Sequence, residues 1–267
     1  MKNKRILYVS SELTPYLPSS HMADTSLDLP RIMQEEGCDV RIFMPRFGCI
    51  NERRHQLHEV IRLSGMNMVV NDIDQPLIIK VASVPRERLQ VYFIDNQEYF
   101  KTRNREYDEN GIPCANNDER AVFFAKGVIE TVKKLNWSPD VVHVNGWLSY
   151  MLPLYINTLY KNDPAFAEAK IVTSVFGEPY EGTMDTDLIK KVSYDGIDEE
   201  LLVEPTFENL TKTSLKYSQG VVVDNPEAYS FVADEVKSRK LPCISHIVGE
   251  PTPREKYIEL YKSILEQ

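Results

Sequence analysis

Glu12 and Asp24 bracket a polar, proline-punctuated loop, Ser10 to His21, which follows one short apolar run and precedes a helical pattern. Carboxylates so placed suit either the hydroxyls of a sugar or the free amides that begin a helix, and capping is the expected role for Asp24. His143, Asn145 and Trp147 gather at the end of a second apolar run, Val141 to Val144. A histidine at a strand end facing a cleft can move protons, but the expectation here is a satisfied core histidine. Trp147 and Tyr180 offer flat rings to the C–H groups of a sugar face, and serve equally well as packing residues. Glu178 and Glu181 form a carboxylate pair of the kind used in glycosidic acid and base work, although two loop carboxylates in an acidic chain are expected to face solvent. His55 and His58 stand three residues apart in a basic stretch that reads as an exposed helix face, so neither a metal site nor a cofactor is expected.

These residues need a scaffold, and the pattern supplies one. Ile6 to Val9 has no period, as for a strand covered on both faces; Ala23 to Glu36 is helical, Gly37 stops it, and Val40 to Met44 is a second buried strand. The unit is βαβ, with a right-handed crossover and a ligand expected beyond the carboxyl ends of the strands. Gly65 to Val84 alternates around Asp72-Ile73-Asp74-Gln75 and predicts an inserted hairpin. Leu89 to Ile94 is a strand, Asn96 to Asp118 reads as a surface excursion, and Glu119 to Leu135 is a helix capped by Asn117 or Asp118. A helix over Leu148 to Tyr160, a strand over Ile171 to Phe176, a helix near Phe207 to Tyr217 and a strand over Gly220 to Asp224 continue the alternation. Pro226 to Lys237 is helical and Cys243 to Val248 is a last strand. After the stiff Gly249-Glu250-Pro251-Thr252-Pro253, Arg254 to Leu265 carries an apolar stripe that must dock. The fold class is therefore α/β, a doubly wound, Rossmann-like parallel sheet. Residues 1–248 form the domain, and residues 249–267 form a linker and a helix packed on it.

Composition narrows the partners. With 40 acidic and 31 basic residues the net charge is -9, which opposes a nucleic-acid backbone or an anionic membrane. No apolar run approaches the roughly 18 residues of a membrane span, and the amino terminus passes straight into a core strand, so a cytoplasmic protein is expected. Cys38, Cys49, Cys114 and Cys243 are scattered, without a C-x-x-C pair, and are expected to be buried reduced thiols.

Ser11-Glu12-Leu13-Thr14-Pro15, Gly37-Cys38-Asp39-Val40-Arg41, Met44-Pro45-Arg46-Phe47, Asn117-Asp118-Glu119-Arg120 and Trp137-Ser138-Pro139-Asp140-Val141-Val142-His143 follow one another in a familiar order. With Asn145-Gly146-Trp147 and Tyr180-Glu181-Gly182 they make the chain resemble the N-terminal, acceptor-side half of glycogen and starch synthases, retaining glycosyltransferases of the two-Rossmann-domain GT-B fold. The resemblance covers about residues 4 to 237, and Tyr257 to Tyr261 resembles the terminal helix that packs back on this half.

The departures fall on the chemistry. Where the family has K-T-G-G-L-A-D, whose lysine and glycines meet the donor's phosphates, this chain has Pro18-Ser19-Ser20-His21-Met22-Ala23-Asp24. Phe176 stands where the family has a sugar-contacting histidine, and Asn145-Gly146 replaces the histidine and aspartate of H-D-W. The chain also stops about where the donor-binding domain would begin. The resemblance thus implies a catalytically impaired acceptor-side domain, with no catalytic residue assigned. Glu12, Asp24, His143, Asn145, Trp147 and Tyr180 are its expected binding residues for a glucan, a sugar or a partner protein. Two other readings stand beside it: a glucosyltransferase subunit acting on a nucleotide-sugar with a donor domain supplied in trans, and a structural subunit that self-associates through the vacated face.

Overall fold

The computed structural model describes residues 1–101, 105–107, 113–176 and 180–267. Strand β1 (Arg5–Ser10) leads into helix α1 (His21–Glu35) and β2 (Asp39–Pro45), which is the expected βαβ unit. Then come α2 (Glu52–His55), β3 (His58–Glu59), β4 (Met66–Val70), β5 (Ile73–Ser83), β6 (Gln90–Asp95) and α3 (Asn117–Lys134). The second half alternates β7 (Val141–Asn145), α4 (Met151–Asn157), β8 (Lys170–Val175), α5 (Leu188–Ser193), α6 (Phe207–Lys216), β9 (Gly220–Val223), α7 (Pro226–Arg239), β10 (Cys243–Ser245) and α8 (Arg254–Leu265).

The sheet runs β10-β9-β8-β7-β1-β2-β6-β5-β3, parallel from β10 through β6, with β5 antiparallel to β6, and β3 and β4 antiparallel to β5. Strand order reverses at β1, between β2 and β7, which is the switch point where doubly wound sheets bind ligands. Ile6, Leu7, Tyr8 and Val9 are all fully buried; α1 packs on β1, and α8 reaches it where Tyr261 Oη meets Tyr8 Oη at 3.0 Å. A smaller cluster of Val175, Leu215, Val221, Val223 and Val232 seats α7 beyond β8.

Several local expectations need correcting. The hairpin turns at Asn71-Asp72, both with positive φ (52° and 59°), two residues before the centre of the expected turn at Ile73-Asp74; Val70 pairs with Ile73 across a two-residue loop. Such loops favour left-handed residues because their twist matches that of the strands. The predicted surface excursion is partly core: Tyr99 and Phe100 are buried on a π-helical turn, Gln97–Lys101, and Glu106 is buried too. Asn116, not Asn117 or Asp118, precedes α3, and the latter two are buried in its first turn. The helix expected over 148–160 divides into a 3-10 turn, Trp147–Ser149, and α4, since Pro153 has no amide to give back to Ser149. Of the cysteines only Cys38 is buried; Cys49 is exposed, and all four are free thiols.

Helix α8 docks as its stripe requires. Tyr257, Leu260, Tyr261 and Ile264 are buried, and a β-carbon at Gly220 of β9 would lie 3.0 Å from Leu260 Cδ1, so the bare glycine lets the helix approach. Arg254 anchors its start on Glu35 and Glu36 at the end of α1. Leu260→Ala is expected to lower stability by about 2–5 kcal/mol, measured by urea unfolding; an unchanged midpoint would remove α8 from the core.

Candidate functional site

The carboxyl ends of β1 and β7 meet at the switch point. Ser10 and Asn145 are register partners, and the Ser11 amide donates to the Asn145 carbonyl at 3.0 Å, joining the first loop to the tryptophan loop. Gly146 has φ +82°, and a β-carbon there would lie 2.7 Å from Ser11 Oγ and 2.8 Å from Met22 Sδ. The two loops are thus pressed together at a residue that must lack a side chain.

Both carboxylates of this segment are hydrogen-bonded to hydroxyls within it. Ser20, the N-cap of α1, accepts from the Ala23 amide at 3.0 Å and donates to Glu12 Oε2 at 2.5 Å. Glu12 is buried and also paired with the Arg105 guanidinium. Asp24 accepts from Thr14 Oγ1 at 2.7 Å and from Ser19 Oγ at 2.6 Å. Asp24 therefore stitches the loop and does not cap the helix, a correction that Ser20's shorter side chain at the true cap position explains. Both carboxylates lie at the positive end of the α1 dipole, where a bound anion would otherwise go.

His143 is a core histidine, as expected. Its Nδ1 is 2.6 Å from Tyr261 Oη and its Nε2 2.7 Å from Ser174 Oγ, and burial pushes its pKa down to about 3. Asn145 is buried, and neither its side-chain oxygen nor its nitrogen has a hydrogen-bond partner among the described residues; the Ser11 hydroxyl is in the same condition. Of the six expected binding residues, Asp24 lines a separate groove, and Trp147 and Tyr180 are brought together at one cavity. Their rings meet edge to face at 5.1 Å, and Tyr180 Oη donates to the Pro205 carbonyl at 2.9 Å. The cavity, about 360 Å³, is completed by Tyr107, Asn117, Glu181 and Asp185 among others.

Asn117 and Asp185 were not among the expected site residues; the Asn117-Asp118-Glu119-Arg120 motif could have marked the first, and no local pattern marks the second. Asp185 is held below the usual carboxylate range by the Asp187 amide and then by Lys191, whose ammonium lies 2.9 Å away. Burial alone would lower the Lys191 pKa, but Asp118 at 2.6 Å, Glu119 at 3.0 Å and Asp185 together raise it. Burial raises Asp118 in spite of that lysine. The cavity wall thus carries two carboxylates, Glu181 and Asp185, the second paired with Lys191 behind it. Glu181 is exposed at the rim, as expected, and Glu178 lies outside the described residues.

A second groove, about 470 Å³, runs along the start of α1 between Ser19, His21, Asp24 and Asp28 on one side and His246 to Thr252 on the other. His21 Nε2 lies 3.1 Å from the His246 carbonyl oxygen, and the two rings are 4.7 Å apart. Some 225 residues separate the pair in sequence, so spacing gave no sign of it. His55 and His58 do not share a helix face: His55 ends α2 against Tyr16, and His58 lies on β3. Among the described residues no group of three or more histidine, cysteine or carboxylate side chains is arranged for a metal, and no helix is long and apolar enough to cross a membrane.

Residues 5–236 match the model of the starch synthase catalytic domain family. The chain is 32% identical over 251 residues to a glycogen synthase of Chlorobium limicola, covering 89% of this chain and 51% of that relative. A glycogen synthase of Chlorobium chlorochromatii is 32% identical over 260 residues, 93% of this chain and 53% of the relative. The chain therefore spans about half the length of the curated relatives it matches. Among solved structures, the catalytic domain of starch synthase IV from Arabidopsis thaliana, bound to ADP and acarbose, superposes with a TM-score of 0.74 at 17% identity, over 92% of this chain and 52% of that one, and so shares the fold. The βαβ unit, the strand order around β1 and the matched family model agree: the chain belongs to the starch synthase catalytic domain family.

Proposed function

We propose that this chain is a glycosyltransferase-family domain that binds a neutral glucan on its acceptor side and is impaired in transferring glucose. The observation that carries the reading is the filled start of α1. Ser20 and Glu12 occupy the helix terminus and Asp24 stands in its first turn, so a donor's phosphates would meet two carboxylates instead of bare amides. A saccharide asks for different groups, aromatic faces and uncharged or anionic hydroxyl acceptors. The cavity beside Trp147 and Tyr180 offers these, with Asn117, Glu181 and Asp185 on its walls. Transition-state stabilisation needs groups aimed at the developing negative charge of the leaving phosphate, and the same acidic surroundings oppose it.

Titration calorimetry of the purified chain is expected to show heat with a linear maltooligosaccharide and none with ADP-glucose. Labelled glucose incorporated into glycogen by this chain alone would overturn the impairment; incorporation only with an added donor-binding domain would favour a subunit completed in trans. Trp147→Ala should weaken maltooligosaccharide binding by about 3- to 10-fold, the worth of one aromatic contact, in the same calorimeter. Gly146→Asp, which brings back the family's acidic residue, is expected to cost about 1–3 kcal/mol in urea unfolding and to restore no transfer, since the position is both left-handed and closed by Ser11 and Met22.

A further inference from the structure

We propose that residues 246–265 are an acid-released latch: when buried His143 and His246 gain protons, the strap after β10 and helix α8 leave the sheet together and open the groove at the start of α1. The geometry ties one unit down at two histidines. Tyr261 Oη of α8 lies 2.6 Å from His143 Nδ1 on β7 and 3.0 Å from Tyr8 Oη on β1. Tyr257 Oη of α8 lies 3.0 Å from His246 Nδ1 at the head of the strap. The strap forms one wall of the groove, from His246 to Thr252, and His21 holds it from the opposite wall.

A proton on either imidazole would be a buried charge with no carboxylate paired to it among the described residues. Around His143 stand Tyr8, Ser174, Tyr257 and Tyr261, hydroxyl groups without charge. Around His246 stand His21 from α1, Tyr257 and Lys256 from α8, and the backbone of Glu250 from the strap. Asp224 at the end of β9 acts on Tyr257, and Asp24, Asp28 and Glu250 line the groove beyond. Burial, with His21 adding to it, pushes His246 down to about 4, and burial pushes His143 down to about 3. The sign follows from linkage. A histidine whose pKa is lowered by docking stabilises the docked state fully above the free value near 6.5, and this is lost as pH falls toward the docked value.

Hydrogen exchange of the full chain, corrected for intrinsic rates, tests the latch at pH 7.5 and pH 4.5. On acidification the opening constant of α8 amides is expected to rise by at least about 50-fold, the share of one such histidine, while β1 amides stay protected. Loss of protection in α8 and β1 together, or no change in α8, would overturn the proposal. The ion pair of Arg254 with Glu35 and Glu36 is a competing acid-sensitive contact. The H143Q/H246Q double variant separates the two, since neither glutamine titrates. An equally large pH-dependent rise in that variant would remove the histidines from the device. A much smaller rise supports them; if that variant does not fold, R254Q takes its place, where an undiminished rise supports the histidines and a lost rise removes them from the device.

Discussion

The hydrogen bond from the Ser11 amide to the Asn145 carbonyl continues the pairing of β1 with β7 one residue past the sheet, and much of the molecule's character follows from that extension. It brings the first loop and the tryptophan loop into contact exactly where a doubly wound sheet would otherwise part to admit a ligand. Once they touch, residue 146 has no room for a side chain, Met22 at the start of α1 is pressed into the contact, and Trp147 is aimed sideways toward Tyr180. The closing of one cleft and the shaping of another are two results of the same geometry.

Charge follows the same division. At the start of α1 the chain supplies its own carboxylates, Glu12 and Asp24, and satisfies them with serine, threonine and arginine. Around the aromatic cavity it concentrates Asp118, Glu119 and Asp185 on a single ammonium, that of Lys191. An excess of negative charge at both places repels anions while leaving hydroxyl acceptors intact. The net charge of -9 extends that preference to the whole surface.

Much of this was readable from residue order. Buried parallel strands announce themselves as unbroken apolar runs, and Ile6 to Val9 and Val141 to Val144 did so; the stripe on α8 required a docking surface and has one. The hairpin was legible, but its turn was misplaced because Asp72 to Gln75 looks as turn-like as Asn71-Asp72, and only strand twist chooses between them. Tyr99 and Phe100 were assigned to a surface segment because the polar residues around them hide a single buried π-helical turn. The partners of Glu12 and Asp24 were hidden for a different reason: which group a loop carboxylate meets depends on hydroxyls and a guanidinium as far away as Arg105, and spacing cannot report that. His21 with His246, and Asp185 with Lys191 and Asp118, belong to the same class of contacts between distant segments.

Tyr261 reaches Tyr8 across 253 residues of sequence. Until α8 has been synthesised, the face of β1, β7 and β9 that it covers, including the bare backbone of Gly220, has nothing to lie against it. A ribosome-bound chain would hold a nearly complete sheet with the strip under α8 wet, long after its βαβ core could pair. Contacts of such long range also slow the last step of folding, since the loop must close before the helix is rewarded. The helix that completes this layer thus sets how long an apolar strip of the nascent sheet stays exposed.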